Sequence, residues 1–148
     1  MTSPLIRNTY YQPTKIKPKF SKYEGLGLGV IATENIEKGE LIERCPLVPL
    51  ARRERYQNDE QILKYVYCDP QIDPSTNLHG FQPYLVLGYG MLYNHQSQNN
   101  SNWEFDFLNY IGDVRANKNI KKGDEIFVNY GEDYFKETIL EEIIIDKI

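Results

Sequence analysis

Apolar residues in the first half of the chain fall in short runs that glycine and proline separate. Residues 30–32 (Val-Ile-Ala) predict a strand and residues 34–39 a turn. Residues 40–45 predict a second strand, which Pro46 and Pro49 end. Residues 51–66 place apolar side chains along one helical face, with charges elsewhere, and predict a helix. This half of the chain therefore combines short strands, turns and one helical segment.

The second half continues with short strands. Residues 68–83 hold three prolines among Asn, Asp and Gly and predict a loop, whereas 84–87 form a short apolar run. Residues 94–102 predict a polar loop, and residues 105–116 and 125–128 predict strands. Residues 134–148 predict a terminal helix, although their isoleucine run would also suit a strand.

One pattern of the form Ala-x-x-Asn-Ile-x-Lys-Gly-acid occurs twice. It runs from Ala32 to Glu40 and again from Ala116 to Asp124. Because glycine tolerates a positive φ, each copy predicts a strand, a tight turn and a return strand. Two similar β-units packed in one domain are expected, and coincidence between common turn sequences is the alternative.

Length and charge narrow the class of protein. A chain of 148 residues fits one domain, and a net charge of −4 with a pI near 5.2 argues against general nucleic acid binding. Cys45 and Cys68 form no Cys-x-x-Cys pair, so reduced thiols are expected. We therefore expect an intracellular protein, and the sequence does not distinguish the cytoplasm from the nucleus. No apolar run approaches the roughly 18 residues of a membrane span, and the N-terminus lacks a signal-peptide core.

Three segments could carry chemistry. The glycine-rich run that begins at Gly25 is not a dinucleotide fingerprint, because Val30 stands where the third glycine would fall. Asn94-His95 opens an amide-rich loop suited to hydrogen bonding a polar ligand, and neither a nucleophile elbow nor further metal ligands accompany it. Tyr130-Gly131 ends an alternating strand and would aim a phenol at the edge of a sheet. A structural role is the alternative for each segment taken alone.

In this order and spacing, the segments resemble the SET-domain protein methyltransferases, whose motifs are close to G-x-G-x-F-A, N-H-S-C-x-P-N and E-[LI]-x-x-[DN]-Y-G. The resemblance covers about residues 25–135. Gln96, Ser97 and Asn99 replace the usual Ser, Cys and Pro, and Asn129 replaces a frequent Asp, so polar character is largely kept. The family's C-terminal zinc-bound Cys cluster is missing. The three matching segments are Gly27-Leu-Gly29-Val-Ile-Ala32, Asn94-His95-Gln-Ser-Gln-Asn-Asn100 and Glu125-Ile-Phe-Val-Asn-Tyr130-Gly131.

The resemblance implies a fold that is mainly β with short helices. It would be a SET-domain (β-clip-like) fold of several small sheets around a pseudoknot, in which the Asn-His and Tyr-Gly segments cross. Residues 1–148 would form a single domain with a core at about 22–135 and a variable insert at 51–87. The segment 134–148 would cover the site or form a homodimer contact.

The resemblance also implies methyl transfer from S-adenosyl-L-methionine to a lysine side chain of a protein substrate, with histones among the candidates. Tyr130 would be the catalytic residue, and no metal is implied. A catalytically inactive SET-like module that binds a peptide or protein is the alternative. Cofactor contacts would come from Gly27, Leu28, Gly29, Tyr93, Asn94, His95 and Tyr130. The substrate lysine channel would be lined by Trp103, Phe105, Val128 and Tyr134.

Overall fold

The computed structural model describes residues 13–50, 67–69 and 82–129. The predicted helices at 51–66 and 134–148, together with Tyr130, Gly131 and Tyr134, lie outside these residues. None of the helical structure in the described ranges is long and apolar enough to cross a membrane. The strands of these ranges are β1 Ile16–Phe20, β2 Leu28–Ala32, β3 Leu41–Pro49, β4 Tyr67–Asp69, β5 Gln82–Val86, β6 Asn94–His95, β7 Ser101–Asp106, β8 Ile111–Ala116 and β9 Phe127–Val128, with a short 3₁₀ helix at Gly90–Leu92.

These strands form three small sheets. β1 pairs with β2 in an antiparallel ribbon, and a five-stranded sheet has the order β4-β5-β3-β8-β7. The third sheet consists of β6 and β9, which run parallel to each other. The prediction of a mainly β fold of several small sheets is confirmed.

The strand expected at 105–116 is in fact two antiparallel strands, β7 and β8. Asp106 accepts hydrogen bonds from the backbone N–H of Asn109 at 3.1 Å and from its side-chain amide at 2.8 Å. These bonds close a turn in which Tyr110 takes a positive φ of 57°. Apolar residues on both sides of the turn made the two strands look continuous in the sequence.

Two predicted loops contribute residues to strands. The expected loop 68–83 contributes residues to β4 and β5, and the expected polar loop 94–102 contributes β6 and the start of β7. Strand β3 continues past Pro46, the first of the two prolines expected to end it, and ends at the second, Pro49. Pro46 is tolerated because it lies where β3 changes partner. The pairing of β3 with β8 ends where Pro46 lies opposite Ile111, and the pairing of β3 with β5 begins at Leu47.

The two copies of the repeated pattern face each other with reciprocal contacts. The backbone N–H of Lys38 donates to Asn119 Oδ1 at 2.8 Å, and that of Lys122 donates to Asn35 Oδ1 at 2.9 Å. Ile36 and Ile120, at the centre, exchange backbone hydrogen bonds of 2.8 Å in both directions. The copies are thus related by an approximate twofold axis, and the predicted pair of β-units is confirmed.

The return strand of each copy pairs with the other copy. In the first copy, Leu41 of β3 is registered with Arg115 of β8, and in the second, Glu125 bridges to Ile31 of β2. The turn glycine has a φ of 90° in one copy and 92° in the other, as the sequence predicts. This exchange of strands carries the second return strand, residues 125–128, to the place where the candidate site is built.

Two apolar clusters hold the sheets together. The larger one lies between the two copies, and both Ile36 and Ile120 are almost fully buried there. The smaller cluster lies on the five-stranded sheet, where Cys45, Leu47, Tyr84 and Val86 are covered by aromatic rings from β4 and β7. The larger cluster includes Ile16, Val30, Ala32, Ile42, Tyr93, Val114, Ala116, Ile126 and Val128.

Candidate functional site

Residues 125–128 lie between β2 and β6 and are hydrogen-bonded to both sides. On one side, the backbone N–H of Ile126 donates to Val30 O at 2.8 Å. On the other side, β6 and β9 pair, and the backbone N–H of Gln96 donates to Val128 O at 3.1 Å. This crossing brings Asn94-His95 against the segment that leads directly into Tyr130.

The side chains of Asn100 and Ser101 bond the backbone of residues 125–127 at this crossing. The amide of Asn100 donates to Glu125 O at 2.9 Å and accepts from the backbone N–H of Phe127 at 2.9 Å. The buried hydroxyl of Ser101 donates to Phe127 O at 2.8 Å. The Asn100 side chain thereby satisfies two backbone groups that a neighbouring strand would otherwise bond. An amide can both donate and accept in this way, which gives a physical reason for Asn at the last position of the second motif.

The two glycines of the G-x-G motif are required for different reasons. Gly27 has a φ of 68°, and nothing lies within 4 Å of the position that a Cβ would take. Gly29 has an ordinary φ, but a Cβ there would lie 2.6 Å from Glu125 Oε2 and 2.8 Å from Asn94 Nδ2. Gly27 therefore allows the turn, whereas Gly29 allows β2 to approach Glu125 and Asn94.

Glu125 joins the three motifs through its carboxylate, and the residue as a whole is buried, with 8% of its surface exposed. Ser21 Oγ donates to Oε1 at 2.6 Å, and Asn94 Nδ2 donates to Oε2 at 2.9 Å. Asn94 Nδ2 also lies 3.2 Å from Leu28 O. Ser21 was not expected from the sequence, and Glu125 was noted only as the first residue of the third motif, without a role in the site. An acid within an alternating strand could have signalled a buried carboxylate, but its donors lie far away in the chain.

The predicted cofactor residues Asn94, His95 and Gly27–Gly29 converge at this crossing. His95 is half-buried, and this burial lowers the pKa of its imidazole. A lowered pKa keeps the imidazole neutral at pH 7, as expected of a pocket residue that hydrogen-bonds a ligand. Leu28 is 43% exposed, so the middle of the G-x-G motif is open to solvent.

Tyr93, also predicted to bind the cofactor, points its side chain elsewhere. The ring is fully buried, and its hydroxyl donates to Oε1 of the buried Glu43 at 2.7 Å. Burial, followed by the charge of Glu43, raises the pKa of Tyr93. In this arrangement the Tyr93 side chain belongs to the core, where its ring meets that of Trp103 in a T-shaped contact with centroids 5.8 Å apart.

Two of the predicted channel residues, Trp103 and Phe105, form one aromatic wall. Their rings stack with centroids 4.8 Å apart, and Trp103 Nε1 donates to Tyr67 Oη at 3.1 Å. Tyr67 was missed because the sequence places it between a predicted helix and a predicted loop. Val128, by contrast, is completely buried in the larger cluster, so its side chain faces the core.

A cleft of about 320 Å³ lies beside Glu125. Aromatic, amide and charged side chains contribute to its wall, and the rings of Tyr23 and Phe127 meet in a T-shaped contact with centroids 5.7 Å apart. The cleft gives the crossing an open side that is both apolar and polar, as small-molecule sites commonly are. Its lining includes Lys19, Tyr23, Ile31, Gln96, Asn100 and Phe127.

A family model described as SET domain matches residues 27–131, a span that holds all three motifs. The chain belongs to the SET-domain family. No curated protein matches the sequence. The recognition made from the motifs is therefore confirmed by an independent comparison of most of the chain.

Solved structures agree with this membership. A Plasmodium falciparum protein assigned as a histone methyltransferase aligns with a TM-score of 0.62 and 33% identity, covering 84% of this chain and 99% of that chain. A humanised mutant of Chaetomium thermophilum Polycomb repressive complex 2, bound to an inhibitor, aligns with a TM-score of 0.62 and 21% identity. This alignment covers 86% of this chain and 16% of that chain. A second structure of this complex (ctPRC2), in an autoinhibited conformation and bound to S-adenosylmethionine, aligns with a TM-score of 0.59 and 22% identity. This alignment covers 93% of this chain and 17% of that chain.

The two Polycomb complexes share the fold, and this SET-domain chain corresponds to about one sixth of the chains that it matches there. The P. falciparum protein is matched over almost its whole length. Together, the family and this relative support a methyltransferase.

Proposed function

We propose that this SET-domain protein transfers a methyl group from S-adenosyl-L-methionine to the side-chain amine of a lysine in a protein substrate. The observation that carries the proposal is the convergence of the G-x-G strand and Asn94-His95 on Glu125, at the start of the segment that leads to Tyr130. The motifs lie far apart in the sequence, and a purely structural role for each would not require them to converge on one carboxylate.

The geometry of the chain fits the proposed cofactor. The backbone at Gly27 is open, Leu28 is exposed, and neutral His95 with Asn94 offers hydrogen-bonding groups without a net charge. The cofactor supplies an activated methyl group on a positively charged sulfur. Gly27, Leu28 and Gly29 would contact it through backbone atoms, and Asn94 and His95 would hydrogen-bond its polar groups.

The substrate lysine must be neutral to react, and at pH 7 only about one free lysine in 2,500 is. The aromatic wall of Trp103, Phe105 and Tyr67 offers an apolar surface that disfavours the charged form and lowers the lysine pKa. The neutral amine would accept the methyl group that the cofactor supplies, forming an N–C bond as the S–C bond breaks. S-adenosyl-L-homocysteine would leave, and one proton would pass from the nitrogen to solvent. We propose that Tyr130 orients these reacting atoms.

Histones are the first substrates to test. The P. falciparum relative, which is 33% identical over 84% of this chain, is assigned as a histone methyltransferase, and a net charge of −4 suits a basic protein partner. Incubation of the purified protein with labelled S-adenosyl-L-methionine and core histones is expected to label a lysine, which mass spectrometry would locate. Calorimetry should show cofactor binding in the absence of substrate.

Two results would separate this proposal from its alternative. A protein that binds histone peptides but neither binds the cofactor nor transfers label would be an inactive SET-like binding module. Cofactor binding with label on other basic proteins would keep the methyltransferase assignment and exclude histones as the substrate.

A further inference from the structure

We infer that Glu125 and Ser21 are positioning residues, which hold the G-x-G loop and orient Asn94 toward the cofactor. The inference rests on the proposed function, because it concerns the same site. Glu125 lies five residues before Tyr130, and Ser21 lies six residues before Gly27. Their hydrogen bond, at 2.6 Å, joins residues 104 positions apart and closes the crossing from the side of the loop.

The burial of Glu125 makes its two donors important. The residue as a whole is only 8% exposed, and a carboxylate with so little access to water is stabilised when each oxygen accepts a hydrogen bond. Ser21 and Asn94 each supply one such bond, and both donors are uncharged. Through these two bonds, the loop between Ser21 and Gly29 and the strand β6 are tied to the same carboxylate.

The carboxylate also determines which way the Asn94 amide faces. Asn94 turns Nδ2 toward Glu125 and donates to Oε2 at 2.9 Å, because the amide nitrogen is the donor of this side chain and a carboxylate oxygen accepts. The neighbouring Leu28 O is likewise an acceptor, at 3.2 Å from the same Nδ2. Asn94 Oδ1 is therefore directed away from both groups, in the orientation required to accept from an amino group on a ligand.

The absence of a side chain at Gly29 belongs to the same arrangement. A Cβ at this position would meet both Glu125 Oε2 and Asn94 Nδ2, at 2.6 and 2.8 Å. The glycine is thus required by the clamp formed by Ser21, Asn94 and Glu125. This clamp gives Glu125 a task beyond the backbone pairing of its strand, since any residue can supply that pairing.

The test compares Glu125→Ala, Glu125→Gln and Ser21→Ala with Glu24→Ala, which removes an exposed carboxylate from the same loop. The dissociation constant for S-adenosyl-L-methionine is measured by calorimetry, and the free energy of unfolding by urea titration. We expect Glu125→Ala to weaken binding roughly tenfold or more and Ser21→Ala roughly threefold to tenfold. Glu125→Gln, which can still accept from Asn94 while donating to Ser21, should stay within about threefold, and Glu24→Ala within about twofold.

A folded Glu125→Ala protein that binds the cofactor like wild type would overturn the inference. If Glu125→Ala fails to fold, Ser21→Ala decides, because it removes one donor from a partly exposed position and leaves the acid in place. Equal binding by Ser21→Ala and Glu24→Ala would then exclude the clamp.

Hydrogen exchange distinguishes failure of the inference from failure of the proposed function. If wild type does not bind S-adenosyl-L-methionine, the proposed function fails, but the clamp can still be measured. The backbone amides of residues 26–30 and 94–96 should then exchange faster in Ser21→Ala and Glu125→Ala than in Glu24→Ala. Unchanged exchange would reject the clamp whatever the protein binds.

Discussion

Gly27 and Gly29 look equivalent in the sequence motif, yet they respond to different constraints. We expect Gly29→Ala to destabilise the protein by about 1–3 kcal/mol, because the new methyl group must displace a buried carboxylate and its amide donor. Gly27→Ala should cost about 1–2 kcal/mol through its positive φ alone. Urea unfolding of both variants measures these costs.

The double variant with Glu125→Ala separates the two causes. Removal of the carboxylate should relieve part of the cost at Gly29 and none at Gly27, so the coupling energy should be at least about 0.5 kcal/mol for Gly29 only. Equal coupling at both glycines would show that the close approach of Gly29 is unimportant.

Tyr130 is the residue whose loss should matter most for activity. This prediction comes from its place in the third motif, since Tyr130 lies outside the described residues. Tyr130→Phe should retain the fold and lower kcat/KM for methyl transfer by roughly 100-fold, as loss of one positioned hydrogen-bonding group commonly does. The exposed Tyr110, changed to Phe, serves as control. Undiminished transfer by Tyr130→Phe would remove this tyrosine from the mechanism.

At the scale of elements, the two turns of the repeat stabilise each other through Asn35 and Asn119. Each side-chain oxygen accepts from a backbone N–H in the other copy. We expect Asn35→Ala and Asn119→Ala each to lower the free energy of unfolding by about 0.5–1.5 kcal/mol, by similar amounts. Urea titration checks this, and the Asp variants, which keep the acceptor, should lose less. A loss confined to one Ala variant would contradict the reciprocal arrangement.

The prediction of elements succeeded where a local signal was strong. The turn at 34–39 was recognised from its glycine, and β2 from its β-branched residues, because both depend on short-range backbone preferences. The split of 105–116 into β7 and β8 was missed. It depends on a turn made by Asp106 and Asn109, whose propensities are weaker than the apolar pattern around them.

At the scale of the whole molecule, His95 makes the stability of the folded protein depend on pH. Burial places the pKa of His95 in the folded protein below its ordinary value of about 6.5. The unfolded chain therefore takes up a proton first as the pH falls, and the folded state loses stability from about pH 6.5 down to the lower pKa. Above about pH 7 this contribution is complete and constant.

Urea unfolding of wild type and His95→Gln at intervals from pH 5 to pH 8 measures this effect. The variant should show a shallower fall in unfolding free energy below about pH 6.5, and the two curves should run parallel above pH 7. Identical slopes throughout would mean that His95 titrates alike in the folded and unfolded states.

The approximate twofold relation between the repeats ends where the site begins. The first return strand, β3, continues into the five-stranded sheet, whereas the second passes between β2 and β6 toward Tyr130. One unit therefore supplies the support, and the other supplies the segment that carries the proposed catalytic residue.

The amino-acid sequence by itself determined the family, the positions of Gly27, Asn94, His95 and Tyr130 in their motifs, and the existence of two similar units. These features follow from residue type and short-range order, which the sequence records directly. Only the tertiary structure revealed the exchange of return strands, the burial of Glu125 between Ser21 and Asn94, and the inward direction of Tyr93 and Val128. Each of these depends on contacts between residues far apart in the chain, and periodicity and local propensity do not specify such contacts.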